Sequence, residues 1–265
     1  MKIATKTPQK SLDTSLLRFR PQEPDFARFK TELGELMGKI DEAEREDNQE
    51  IHVLNFLRDG FYKGVSEINK KGTIDLAIHL TADKSSPVAV IIETKRPGNK
   101  AEMLTAASPN TKALHELVLY FMRERVDAAN DDIKYLISTN INEWFIFNAS
   151  DFNRHFYDNT KFRKAYEDWH DKLKISSNTP HFYKEIAKPF IDKLDENLEC
   201  TYFDLREYSA PADEKKLIAL YKLLSPPAQN EIRRRQQHAR QKVLHRASPH
   251  YGPRRVQGKK QNADP

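Results

Sequence analysis

Three side chains in this 265-residue chain are of the right types and spacing to act together: Asp75, Glu93 and Lys95. Glu93 and Lys95 end the run "VAVIIETK" (88–95). On a strand they project from one face while Thr94 projects from the other. Asp75 lies in "GTIDLAIHL" (72–80), where Ile74, Leu76, Ile78 and Leu80 face one way and Asp75, Ala77 and His79 the other. If the two strands pair, Asp75 stands at the same end of the sheet as Glu93. Converging carboxylates repel unless a cation joins them, and oxygen ligands with open water positions suit Mg²⁺. Such an ion polarises a phosphodiester and lowers the pKa of a bound water. Lys95 beside that water would orient it or stabilise the developing negative charge. Together these are the parts needed for phosphodiester hydrolysis. The competing reading is a solvated strand-end ion pair of Glu93 and Lys95, worth little energetically.

The positioning elements follow from periodicity. Phe26, Phe29, Leu33, Leu36 and Met37 predict a helix over about 25–40, and Val53, Leu54, Leu57 and Phe61 a second over 51–61. "TADKSSP" (81–87) supplies turn chemistry for a hairpin between the two site strands. The unbroken apolar run of the second strand predicts burial on both faces, as in the middle of a covered sheet. Leu114, Leu117, Val118, Phe121, Met122 and Val126 stripe a helix in "TKALHELVLYFMRERV". Two further strands, 133–140 and 143–149, meet at a tight Ile141–Asn142 turn. Residues 1–21 read as an extended lead-in. The expected fold class is α/β, a mixed sheet flanked by helices. A nuclease-like domain spans 1–150, a helical extension 151–225, and a disordered basic tail 226–265.

Other side chains invite weaker readings. Glu50 or Asp59 could add an acid from the preceding helix. Arg96, Lys100, Arg123 and Arg125 could meet phosphates or form a solvated face. Trp144, Phe145 and Phe147 read as hairpin core rather than a base-stacking platform. His79 reads as a packed rim residue before a metal ligand. Cys200, the single cysteine, excludes an internal disulfide and lacks a partner base for a nucleophile role.

Charge belongs to one end of the chain. The formal net charge is +5, yet residues 231–265 hold ten Lys/Arg against two acids, leaving 34 bases and 37 acids before them. The basicity therefore says nothing of what the folded body binds. No apolar run is long enough to span a bilayer and no secretory leader is apparent, so the expected compartment is the cytoplasm.

The pattern "TIDLAIHL … VAVIIETKRPGNK" resembles the PD-(D/E)xK nuclease motif. Residues 1 to about 225 resemble the N-terminal endonuclease segment of bacterial type IIG restriction–modification enzymes. The stretches carrying that likeness include "MKIATKTPQKSL", "ELVLYFMRER", "TNINEWFIFNA" and "FYKEIAKPFID". The resemblance implies a restriction-endonuclease-like fold, Asp75 and Glu93 as Mg²⁺ ligands, Lys95 positioning or activating water, and duplex DNA as substrate. Related nucleases carry a Gln and a Tyr on the following helix; His115 stands about where the Gln is expected, with Glu116 beside it and Tyr120 one turn on. The family's methyltransferase tetrapeptide and glycine-rich cofactor loop have no counterpart among these residues. Methyltransferase and target-recognition domains would then come from another chain. The likeness fades near "KKLIALYKLLSP", and the Arg/His/Gln-rich stretch beyond it resembles a shifted reading frame. The expectation is a truncated or frameshifted frame of such an enzyme. A non-catalytic DNA-binding or assembly fragment is the alternative.

Overall fold

Seven strands form one mixed sheet: β1 (Ile3–Lys6), β2 (Ile68–Lys71), β3 (Ile74–His79), β4 (Val88–Thr94), β5 (Tyr135–Thr139), β6 (Glu143–Asn148) and β7 (Leu198–Asp204). The computed structural model describes residues 1–18, 20–171, 178–208 and 213–226. The basic tail beyond Pro226, expected to be disordered, lies outside the described residues. Residues Met1–Gln229 make one compact unit.

Strand order is β1-β7-β6-β5-β4-β3-β2. The β3–β4 hairpin is antiparallel, as the turn residues of 81–87 require, while β4 and β5 run parallel. A parallel pair needs a crossover, and the helix α5 between them (Lys112–Met122) provides it. Every position of β4 is buried, and Val90, Ile91 and Ile92 have no exposure at all. This is the interior strand that its apolar run predicts.

The earlier helices are α1 (Pro8–Ser11), α2 (Thr14–Arg18), α3 (Glu23–Gly38) and α4 (Glu46–Leu57); after α5 come α6 (Ala149–Phe152), α7 (Thr160–His170), α8 (Thr179–His181), α9 (Lys188–Asp192) and α10 (Glu214–Leu224). Alternation along the strands sorts the two faces. Ala77, Ile91, Phe145 and Phe147 join Leu114, Leu117, Val118 and Phe121 of α5 in one core. On the other face α4 packs against β3 and β4, and Phe56 meets Trp144 edge to face. Several helices run on into a π-helical turn; that after α4 spans Arg58–Tyr62 and that after α8 spans Phe182–Ala187.

Four expectations need correction. Residues 1–21 are no mere lead-in, since β1 pairs in parallel with β7 and α1 and α2 follow it. Helix α4 begins at Glu46, inside the acidic stretch, because Glu46 and Asp47 in the first turn suit the positive end of the helix dipole. Strand β2 was not expected; it pairs with β3 and forms an edge of the sheet. Residues 151–225, expected to be helical, contribute β7, which hydrogen-bonds to both β6 and β1. The tight β5–β6 turn is present, with Ile141 in the left-handed region at φ 71°. Its carbonyl accepts the indole N–H of Trp144 at 2.7 Å, which helps hold the turn.

Candidate active site

The β3–β4 register pairs Leu76 with Ile92. Continued by one residue, it sets Asp75 opposite Glu93, at the carboxyl ends of β4 and β5 where open α/β sheets place their sites. Asp75 is half-buried, and its Oδ2 accepts hydrogen bonds from the Thr94 N–H (2.9 Å) and the Thr94 hydroxyl (3.0 Å). The strand pairing is prolonged by the Lys95 N–H, which donates to the Thr139 carbonyl at 2.8 Å. The backbone is therefore fixed on both sides of the Glu-Thr-Lys segment.

Glu93 is 1% exposed and Lys95 2%. The Lys95 ammonium donates to Glu93 Oε1 and lies 3.2 Å from the Thr94 carbonyl. It also pairs with Glu116 Oε2 at 2.9 Å, from the first half of α5, and with Glu46 Oε1 at 3.5 Å, from the first residue of α4. One cation thus faces three carboxylates. Burial alone would push the Lys95 pKa down, but Glu93 and Glu116 hold it above the usual lysine range. Burial pushes the Glu93 carboxyl well above the usual carboxylate range; the charge of Asp75 raises it further and that of Lys95 opposes the rise. Glu93 Oε2 is buried without a hydrogen-bond partner.

On helix α5, His115 Nε2 meets Asn110 Oδ1 at 2.6 Å and its ring lies 6.0 Å from that of Tyr183. Burial, with Lys188 nearby, brings its pKa down to about 4. Glu116 takes the place facing Lys95. Tyr120, four residues on, is buried; desolvation and then the charges of Glu93, Glu116 and Asp75 raise its phenol. Tyr183, in the turn after α8, is raised by burial and then by Glu116 and Glu93.

Of the two helix acids considered, Glu50 comes to the site and Asp59 does not. Glu50 is buried and paired with Lys70 at 2.7 Å; burial raises its pKa and Asp75 raises it further. Asp59 pairs with Arg58 at 2.6 Å, on the turn beyond α4. Arg123 and Arg125 are engaged within the fold, Arg123 with the Thr73 hydroxyl (2.5 Å) and Arg125 with Asn153 (3.0 Å) and the Tyr157 ring (4.4 Å). Arg96 and Lys100 are exposed. His79 is a packed residue whose two ring nitrogens meet the Ser86 carbonyl (2.6 Å) and Asn69 (3.2 Å). Trp144, Phe145 and Phe147 are buried core. Cys200 is buried and its thiol is pushed up to about 12, which keeps it protonated and unreactive.

The sequence reading did not reach Glu46, Lys70 or Tyr183. For Glu46 the signal was its i,i+4 spacing from Glu50, which puts both on one face of α4; for Tyr183 no local signal exists. Among the described residues no group of three or more His, Cys, Asp or Glu side chains closes into a metal cage. Mg²⁺ does not require one, since it commonly keeps several waters and takes one or two carboxylates. Glu93 and Asp75, opposite one another on paired strands, are oxygen donors of the kind such an ion takes. Among the described residues no helix is long and apolar enough to cross a membrane.

Neither the curated proteins nor the solved structures yield a match to this chain. Residues 6–229 match a protein family across most of the described fold, from the last residue of β1 through α10. The chain belongs to that family, whose description is Domain of unknown function (DUF7149).

Proposed function

We propose that this chain is a Mg²⁺-dependent endonuclease acting on duplex DNA in the cytoplasm, the restriction portion of a type IIG restriction–modification enzyme. The observation that carries this reading is the Asp75–Glu93 pairing with Lys95 two residues on, all at one end of the sheet. Asp75 and Glu93 would hold the ion through their carboxylate oxygens. When bound, Mg²⁺ supplies Lewis acidity toward the phosphodiester and a water of lowered pKa. Lys95 positions the attacking water and offsets charge gathering on the phosphate. Glu116, from α5, also holds the ammonium, at 2.9 Å. Target recognition and methylation would belong to domains other than the elements described above.

Plasmid cleavage in Mg²⁺ and Mn²⁺ tests the reading. Asp75→Asn and Lys95→Ala, checked for folding by circular dichroism, are each expected to lose about 10²-fold or more in rate. Equal rates for parent and variants would remove these residues from catalysis. A second reading, a non-catalytic DNA-binding or assembly module, draws on the burial of Glu93 and Lys95. Calorimetry separates the two: Mn²⁺ binding lost in Asp75→Asn favours the enzyme, and absence of any Asp75-dependent binding favours the module.

A further inference from the structure

We infer that Glu46 is an internal occupant of an anion seat built from the Lys95 ammonium and the Arg96 backbone N–H, and that a phosphodiester oxygen of the substrate takes its place. The inference rests on the nuclease reading of Lys95. Glu46 Oε1 lies 3.5 Å from Lys95 Nζ, and its Oε2 accepts from the Arg96 N–H at 3.4 Å. Two donors of different origin therefore converge on one carboxylate, as they would on two oxygens of a phosphate. The three acids around Lys95 are not equivalent. Glu93 and Glu116 are held close and buried, with side-chain exposures of 1% and 10%; Glu46 is the most distant and is 38% exposed. Coulomb attraction falls with distance and with the dielectric of exposed surroundings, so Glu46 is the one that exchanges most readily.

Position in the fold supports the same assignment. Glu46 is the first residue of α4, so its side chain can swing without disturbing the helix hydrogen bonds. The chain just before it lies against the loop after β4, where a Cβ on Gly98 would come within 3.1 Å of the Glu42 carbonyl. With Glu46 in place, Lys95 is 2% exposed. A buried lysine that serves a polymeric anion needs a group that yields, and Glu46 has the matching charge and the freedom to move.

The test pairs lysine reactivity with cleavage in the full chain. Reductive methylation read by peptide mass spectrometry is expected to label Lys95 slowly in the parent and about tenfold faster in Glu46→Ala, with a 30-base-pair duplex in Ca²⁺ restoring protection. Plasmid cleavage in Mg²⁺ is expected to rise about tenfold in Glu46→Gln, which keeps the shape and removes the competing charge. Unchanged Lys95 labelling in both variants overturns the seat, whether or not the chain cuts DNA. Faster labelling with slower cleavage also overturns it, because Glu46 would then be part of the catalytic machinery. Faster labelling and duplex protection, with no cleavage by any of the proteins, leaves the seat standing and defeats the nuclease reading instead.

Discussion

Lys95 stands among Glu93, Glu116 and Glu46, and this imbalance of charge governs how the single residues behave. Glu93 has a folded-state pKa raised by desolvation and then by Asp75, so the folded chain holds its proton more tightly than the unfolded chain. The stability from that proton is full below the unfolded value, near 4.5, and is lost as pH rises through the folded one. Lys95 is shifted upward too, but it stays charged in both states across neutral pH and adds no slope there. In chelator, the thermal midpoint is therefore expected to fall as pH rises from about 5 toward 8, and Glu93→Gln is expected to flatten that slope. Adding Mg²⁺ should restore the midpoint at high pH, as differential scanning fluorimetry would show. Replacing Lys95 with Met leaves buried carboxylates without their cation, at a cost of about 3 kcal/mol in urea unfolding. Mg²⁺ should recover part of that loss.

Among the elements, β2 shows how a four-residue edge strand is tied down. Neighbouring lysines point to opposite faces, Lys70 to Glu50 of α4 and Lys71 to Glu124 beyond α5, the second at 2.6 Å. Lysines also blunt an exposed strand edge against pairing with other chains. Lys71→Ala is expected to cost about 1–2 kcal/mol by leaving buried Glu124 short of a partner, while cleavage stays unchanged; urea melts and plasmid assays read the two effects. The elements that carry the site were legible because their patterns are strong. The alternation of 74–80 and the apolar run of 88–92 each have one good structural solution. Strands β1, β2 and β7 were not, because "IATK", "INKK" and "LECTYFD" lack a continuous period and are held by their neighbours. In the same way Glu116 was seen on its helix, but which of its neighbours faced Lys95 depended on how α5 rolls against the sheet. Glu46 and Tyr183 reach the site only through the fold, from elements with no sequence proximity to it.

Across the whole molecule, the segment after residue 150 is part of the core. Phe152, Phe156, Phe162 and Phe182 join the α5 side of the sheet, and Phe156 and Phe162 pack with ring centroids 5.2 Å apart. Trp144 stacks on Phe203 of β7 at 5.6 Å. A chain cut after residue 150 is expected to lose its sharp unfolding transition and to aggregate, as circular dichroism and size-exclusion chromatography would report. The boundary read at 150 followed the site strands and their hairpin, which end there; the packing continues past them.

The parallel pairing of β1 with β7 also sets an order of events. Ile3 and Leu198 are partners, and Lys6 meets Glu199 at a sequence separation of 193. On the ribosome, the strands bearing Asp75, Glu93 and Lys95 emerge long before the strand that closes the far side of the sheet. Contacts so distant in sequence slow folding. For that interval the site strands are made while β6 still lacks its outer neighbour, a hazard to the nascent chain that ends only when β7 arrives to pair with β6 and β1.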